Sequence, residues 1–212
     1  MFTFSLLFTG YIVDTLGPFL SGAILKSECA VACVNNANCS SFFYDVNTQE
    51  CYLEKYVYAA SHQLQNRSGI QYFSLLNNTC PASYVYCRST NQCLRLYSSP
   101  KMKFPAAQKL CVENSGHLAY VRSEEENEQA SIVANDQVVW IGFERNVKDG
   151  QWYWTNGHLL GSYANWNPTK LDGEELYGRM FSTGRWGVYG LNGHALALCE
   201  IDLEEKDDAL RG

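Results

Sequence analysis

The chain has 212 residues, 18% charged and 14% aromatic, with net charge −6 and pI near 5.2. That length holds one large or two modest domains, and the acidic balance argues against nucleic acid or an anionic membrane as the main partner. Nine cysteines without a C-x-x-C zinc spacing point to disulfides and an oxidising, secreted setting.

No apolar run reaches the roughly 18 residues of a transmembrane helix. Met1 to Val13 is apolar like a signal peptide but has no basic n-region, and the alternation in Phe2-Thr3-Phe4-Ser5 reads equally as a first strand. Both readings stay open. Asn38, Asn66 and Asn77 head glycosylation sequons, whereas Asn167-Pro168-Thr169 is blocked by its proline.

Residues 15–76 hold a short helix, with Ser27 as N-cap, running from Glu28 to about Val34 and stopped by Asn35, Asn36 and Asn38. Cys29 and Cys33 sit at i and i+4, with Cβ atoms about 6 Å apart, too far to bond each other. Cys39 and Cys51 are the remaining partners before residue 80. Cys33–Cys39 forms a local staple, and Cys29–Cys51 pins the helix to a strand Cys51–Leu53 that pairs with Ser41–Tyr44. This pattern resembles a PAN/apple domain, one helix clasped to a small antiparallel sheet. The terminal disulfide of many apple domains has no counterpart, so hydrophobic packing is expected to close the ends. The boundary falls at the polar Leu76-Asn77-Asn78-Thr79, giving 1–76, then 77–203, then a charged tail, 204–212.

The second part opens with a hairpin, Tyr84–Cys87 and Cys93–Tyr97. A helix starts near Pro105 and stops at Gly116, with Ala107, Leu110 and Cys111 on one face. Leu118–Val121 reads as a strand, and Ser123 with Glu126 as a capping box for a helix to about Ala134. Val138–Ile141 is a strand ending at Gly142, and Trp152–Trp154 another. All five tryptophans lie within residues 140–186, so the core should be built around them.

Trp140-Ile141-Gly142-Phe143, Trp152-Tyr153-Trp154, Ala164-Asn165-Trp166 and Cys199-Glu200, in that order, resemble a long-form C-type lectin-like domain over residues 80–202. The fold class implied is α+β, a small apple-like helix-on-antiparallel-sheet domain followed by a lectin-like domain of two helices, antiparallel sheets and a long loop region. The resemblance implies Cys111–Cys199, a closure of about 4–5 kcal/mol in the chain-entropy model, and Cys80–Cys93, with Cys80–Cys87 as the competing pair. Cys87 is left over, either free or bridging to a second chain as a disulfide-linked oligomer, because a hairpin edge near the joint is accessible.

Sugar-binding members of that family hold Ca²⁺ through an E-P-N or Q-P-D loop and a W-N-D strand, supplying several oxygens at once. Counted from Trp166 and Trp186, the matching positions are Lys170-Leu171-Asp172 and Gly187-Val188. Lysine cannot ligate Ca²⁺, and a cis bond without proline costs about 3–4 kcal/mol. The usual side-chain ligands reduce to Asp172, so no metal and no cofactor are expected. The family's inner disulfide falls at Tyr177 and Leu191, where a hydrophobic contact should replace it. Asp172, Glu174 and Glu175 read first as a solvated loop tip and second as a rearranged cation site. Tyr163, Trp166, Tyr177 and Tyr189 offer rings to a partner. Lys170, Asp172 and Tyr189 are the ligand-binding candidates.

His62, His117, His158 and His194 are scattered, and no G-x-S-x-G, H-E-x-x-H or phosphate loop is present. His117 reads as a polar residue at a helix stop. The expectation is a secreted, non-enzymatic recognition protein that binds a protein, glycoprotein or glycan without Ca²⁺, as a free chain or as a subunit of an extracellular assembly. A glycan-binding lectin with a non-standard site and a disulfide-linked structural subunit are the alternatives.

Overall fold

The computed structural model describes residues 3–13, 19–58, 64–76, 80–81, 83–168 and 176–203. Its helices and mainly antiparallel sheets make an α+β fold, as expected.

The first unit is a four-stranded antiparallel sheet in the order β1 (Thr3–Ile12), β4 (Gln65–Leu76), β2 (Ser41–Asp45), β3 (Glu50–Glu54), with α1 (Lys26–Asn35) on one face. Because successive side chains on a strand point to opposite faces, β2 sends Phe42 one way and Phe43 the other. Phe42 stacks on Phe73 at 5.0 Å within the cysteine-rich cluster around Cys29, Cys33 and Cys51. Phe43 joins Tyr52, Tyr58, Ile70 and Tyr72 on the opposite face. With both faces covered, all five residues of β2 are buried.

The N-terminal stretch forms β1, paired in register from Thr3↔Leu76 to Ile12↔Gln65, with two register shifts along it. The ends of this unit are therefore tied by a backbone ladder and not only by the side-chain packing expected. β4 was not visible in the sequence, because Gln65-Asn66-Arg67-Ser68-Gly69 is polar where a strand signal would be apolar. Helix α1 begins two residues earlier than expected. Ser27 lies in its first turn and does not cap it; the Glu28 carboxylate accepts the Leu25 N–H instead, at 2.6 Å.

The second unit is an eight-stranded sheet in the order β11 (Trp186–Tyr189), β10 (Tyr177–Met180), β8 (Val139–Arg145), β12 (Ala195–Asp202), β6 (Gln92–Met102), β5 (Val85–Cys87). β7 (His117–Leu118) pairs with β12, and β9 (Trp152–Trp154) pairs with β8. Helices α2 (Phe104–Glu113) and α3 (Glu124–Ala134) flank it. Two glycines are needed for close approach. A Cβ on Gly142 would stand 2.4 Å from the Leu118 carbonyl, so β8 runs through this residue to Arg145 where the sequence suggested an end. A Cβ on Gly116 would stand 2.3 Å from the Glu200 carbonyl; α2 ends at Glu113, and Gly116 serves both this contact and the expected helix stop, its N–H donating to the Cys111 carbonyl at 3.0 Å. Ser123 does cap α3, its Oγ accepting the Glu126 N–H at 3.2 Å. The Glu126 carboxylate turns to the Arg122 N–H and not to that of Ser123.

Side chains lock the two units together. The Gln129 amide, fully buried on α3, accepts the Val57 N–H at 2.9 Å and donates to the Val57 carbonyl at 3.0 Å, completing a backbone pair as a neighbouring strand would. Arg88 donates to the Val34 and Asn36 carbonyls at the end of α1, at 3.0 and 3.3 Å. The Arg88 and Ser89 N–H groups donate to Ser40 Oγ, and Ile132 of α3 packs on the Phe43–Tyr72 cluster.

Candidate functional site

The long-loop end of the second unit is built on Trp186. Its ring is fully buried, 5.6–6.0 Å from those of Phe143, Tyr163, Trp166 and Trp154. The indole N–H donates to Asn127 Oδ1 on α3 at 2.8 Å. Next along β11 come Gly187 and Val188, both buried, where the family resemblance implied ligating side chains. Val188 is 2% exposed and packs in the same core cluster. β11 thus turns apolar surface inward at this point, with no side-chain oxygen to offer. Lys170, Asp172, Glu174 and Glu175 lie outside the described residues.

Tyr189 closes β11 at 37% exposure. The Arg179 guanidinium lies 3.8 Å from its ring centre. A Cβ on Gly193 would come within 2.1 Å of its Cδ1, so glycine there lets the ring lie flat on the chain. Tyr189 is therefore an exposed ring held in place, which favours use as an anchor because little side-chain entropy is left to lose. Tyr163 and Trp166 are half-buried against the tryptophan cluster. The expected Tyr177–Leu191 pair does not form a buried core contact. Tyr177 stacks on Phe104 of α2 at 4.4 Å, while Leu191 stands 60% exposed. The aromatic neighbour on α2 supplied a better surface than the aliphatic residue in the turn.

Four disulfides join Cys29 to Cys51, Cys33 to Cys39, Cys80 to Cys93 and Cys111 to Cys199. Cys87 is free and 1% exposed. Its Sγ lies 3.6 Å from Ser40 Oγ and 3.8 Å from the Lys55 carbonyl, both in the first unit. The premise of an accessible hairpin edge is corrected: the first unit covers this thiol. Asn38 and Asn66 are exposed, and Asn77 lies outside the described residues.

A second polar group went unread in the sequence. His117, Glu200 and Asp202 bring a ring nitrogen and two carboxylates within 4.8 Å of one another, the one such metal-capable trio among the described residues. Glu200 is 2% exposed, and burial pushes its carboxyl up to about 7 against the pull of nearby His117. Both its oxygens are engaged, Oε2 by the Tyr120 N–H at 2.9 Å and Oε1 by the Gln92 amide at 3.1 Å. Arg122 sits 3.8 Å from Glu200 and 3.3 Å from Glu126. That guanidinium already supplies the cation, so the trio belongs to an ion-pair network joining β12 to α3 and does not fit a metal cage. The available signal was a glutamate inside the otherwise apolar run Ala195–Ile201.

The PAN domain profile matches residues 23–80 and the lectin C-type domain profile residues 100–201. The chain is 31% identical over 93 residues to a type-2 ice-structuring protein of Hemitripterus americanus, covering 44% of this chain and 54% of that one. It is 34% identical over 80 residues to snaclec 5 of Echis pyramidum leakeyi, covering 35% and 53%. The chain thus spans about half the length of the curated relatives it matches. Among solved structures, the mouse scavenger receptor C-type lectin carbohydrate-recognition domain superposes with a TM-score of 0.52 at 24% identity, over 59% of this chain and 98% of that one. A calcium-independent type II antifreeze protein superposes with a TM-score of 0.51 at 27% identity, over 58% and 95%. The clasped helix and sheet are a PAN domain, and the tryptophan-centred unit that follows is a C-type lectin domain.

Proposed function

We propose that this protein is a secreted, non-enzymatic recognition module that binds a protein or glycoprotein partner without Ca²⁺. The observation that carries the reading is β11, where Trp186 is followed by the buried pair Gly187 and Val188. A calcium site needs about 6–8 oxygens at once, and a strand that contributes none leaves too few. A solved structure that resembles the lectin half is described as calcium-independent, so such a scaffold exists without the ion. Disulfides in both halves favour an oxidising, extracellular setting. The contact surface in this reading is the long-loop end, with Tyr189 as anchor and with Lys170 and Asp172 as the further candidates drawn from the sequence.

The test is binding of the full chain to arrayed extracellular glycoproteins, with and without EDTA. Signal unchanged by EDTA and weakened about tenfold or more by Tyr189→Ala is expected, since truncating an aromatic anchor typically costs more than about 1–2 kcal/mol. Signal abolished by EDTA would contradict the reading.

A further inference from the structure

We propose that the cleft between the PAN and lectin domains is a binding site for a neutral saccharide. It goes beyond the reading above, because it uses none of Tyr189, Lys170 and Asp172.

The cleft has a volume of about 540 Å³ and takes its walls from Tyr56 and Tyr58 of the PAN half, from α3, and from the turn between β10 and β11. That volume falls in the usual range for small-ligand sites, roughly 300–1,000 Å³. Two amides in its lining are fixed in orientation by what they already hold. An indole N–H is a donor only, so the Asn127 atom facing Trp186 Nε1 at 2.8 Å must be oxygen. The Asn127 NH₂ is thereby turned away from the core on a side chain that is 4% exposed, and it has no partner among the described residues. The Gly184 carbonyl is an acceptor only, so Asn165 presents its NH₂ there at 3.1 Å, and its carbonyl oxygen has no partner among the described residues. One amide therefore offers a donor and the other an acceptor.

Gly184 keeps this floor open. A Cβ there would stand 3.3 Å from Ser131 Oγ and 3.4 Å from Asn127 Nδ2, inside the space a ligand hydroxyl would use. Glu124 and Glu128 add acceptors. Each already takes a tyrosine hydroxyl, Glu124 from Tyr163 and Glu128 from Tyr56, but a carboxylate has about four lone-pair positions and these contacts use one apiece. The two carboxylates outnumber the single guanidinium of Arg185 in the lining, which disfavours an anionic ligand. Interleaved donors and acceptors suit a polyol, whose hydroxyls each donate and accept. Tyr56 adds a half-buried ring beside them.

Saturation-transfer NMR on the full chain tests this, with methyl α-mannoside, N,N′-diacetylchitobiose and maltotriose as neutral probes and sialyllactose as the acidic one. Transfer to at least one neutral probe is expected, unaffected by EDTA and retained in Tyr189→Ala. It should be lost in Thr183→Trp, which places an indole from the exposed turn into the cleft, and weakened in Arg185→Gln. Both variants should keep the wild-type unfolding midpoint, so that loss of signal reports the cleft and not the fold. No transfer to any neutral probe, transfer undiminished in Thr183→Trp, or transfer to sialyllactose alone overturns the proposal. Loss in Tyr189→Ala with Thr183→Trp unaffected would place the sugar at the long-loop end, overturning this site while leaving the previous reading standing.

Discussion

Glu54 sits at the end of β3 with 9% of its surface exposed, and burial pushes its carboxyl up to about 7 despite hydrogen bonding from the Lys55 N–H. A carboxyl whose folded value exceeds its unfolded one binds its proton more tightly in the native state. Stability therefore falls as pH rises from about 4.5 to about 7 and is flat above. Glutamine keeps the acceptor and cannot ionise. Glu54→Gln should match the wild type near pH 4.5 and exceed it by about 2–3 kcal/mol near pH 7.5. Urea unfolding at the two pH values measures this; an equal difference at both would assign the effect to packing instead. Such burial was not legible from residue type, since Glu54 closes an ordinary run of strand residues. It becomes buried because the chain after β3 turns into the joint with the second domain. Cys87 was misjudged for the same reason: a hairpin edge is exposed only if nothing packs on it, and here Ser40 and Lys55 do.

At the scale of elements, α3 has three roles: it carries Asn127 under Trp186, Gln129 against Val57 and Ile132 into the PAN core. Gln129→Leu would leave both the Val57 N–H and its carbonyl buried without a partner, at about 1–3 kcal/mol each. The expected result is a denaturation curve that splits, with the PAN domain unfolding first, where the wild type shows one transition. A single unshifted transition would mean that the joint rests on other contacts. α2, α3 and the tryptophan strands were readable because caps and periodic apolar residues encode them locally. β4 was hidden because its identity depends on β1 and β2 on either side, and the partners of a central strand lie far away in sequence. Glu28 at the start of α1 shows the limit of cap reading: a carboxylate three residues ahead can take the role expected of a serine.

In the whole molecule, two disulfide-stapled domains share a buried seam built from side chains that complete each other's backbone hydrogen bonds. Either half read alone predicts its own core well. The seam and the cleft beside it could not be read, because they exist only once α3 meets the chain after β3. The altered calcium motif was legible, since it is a local substitution of residue types at positions set by Trp166 and Trp186. The fate of Tyr177 was not, because Phe104 reaches it from another element. In the reading proposed above this chain lacks the calcium cage of a sugar-binding lectin, and that can be tested without knowing any partner. Calcium chloride titrated into the metal-free chain, followed by calorimetry and by Tm, should give no saturable heat and no shift. An extracellular site with a Kd of about 1 mM would, at about tenfold excess, add about 1.4 kcal/mol of stability. Saturable binding in that range, with a matching rise in Tm, would contradict the loss of the site.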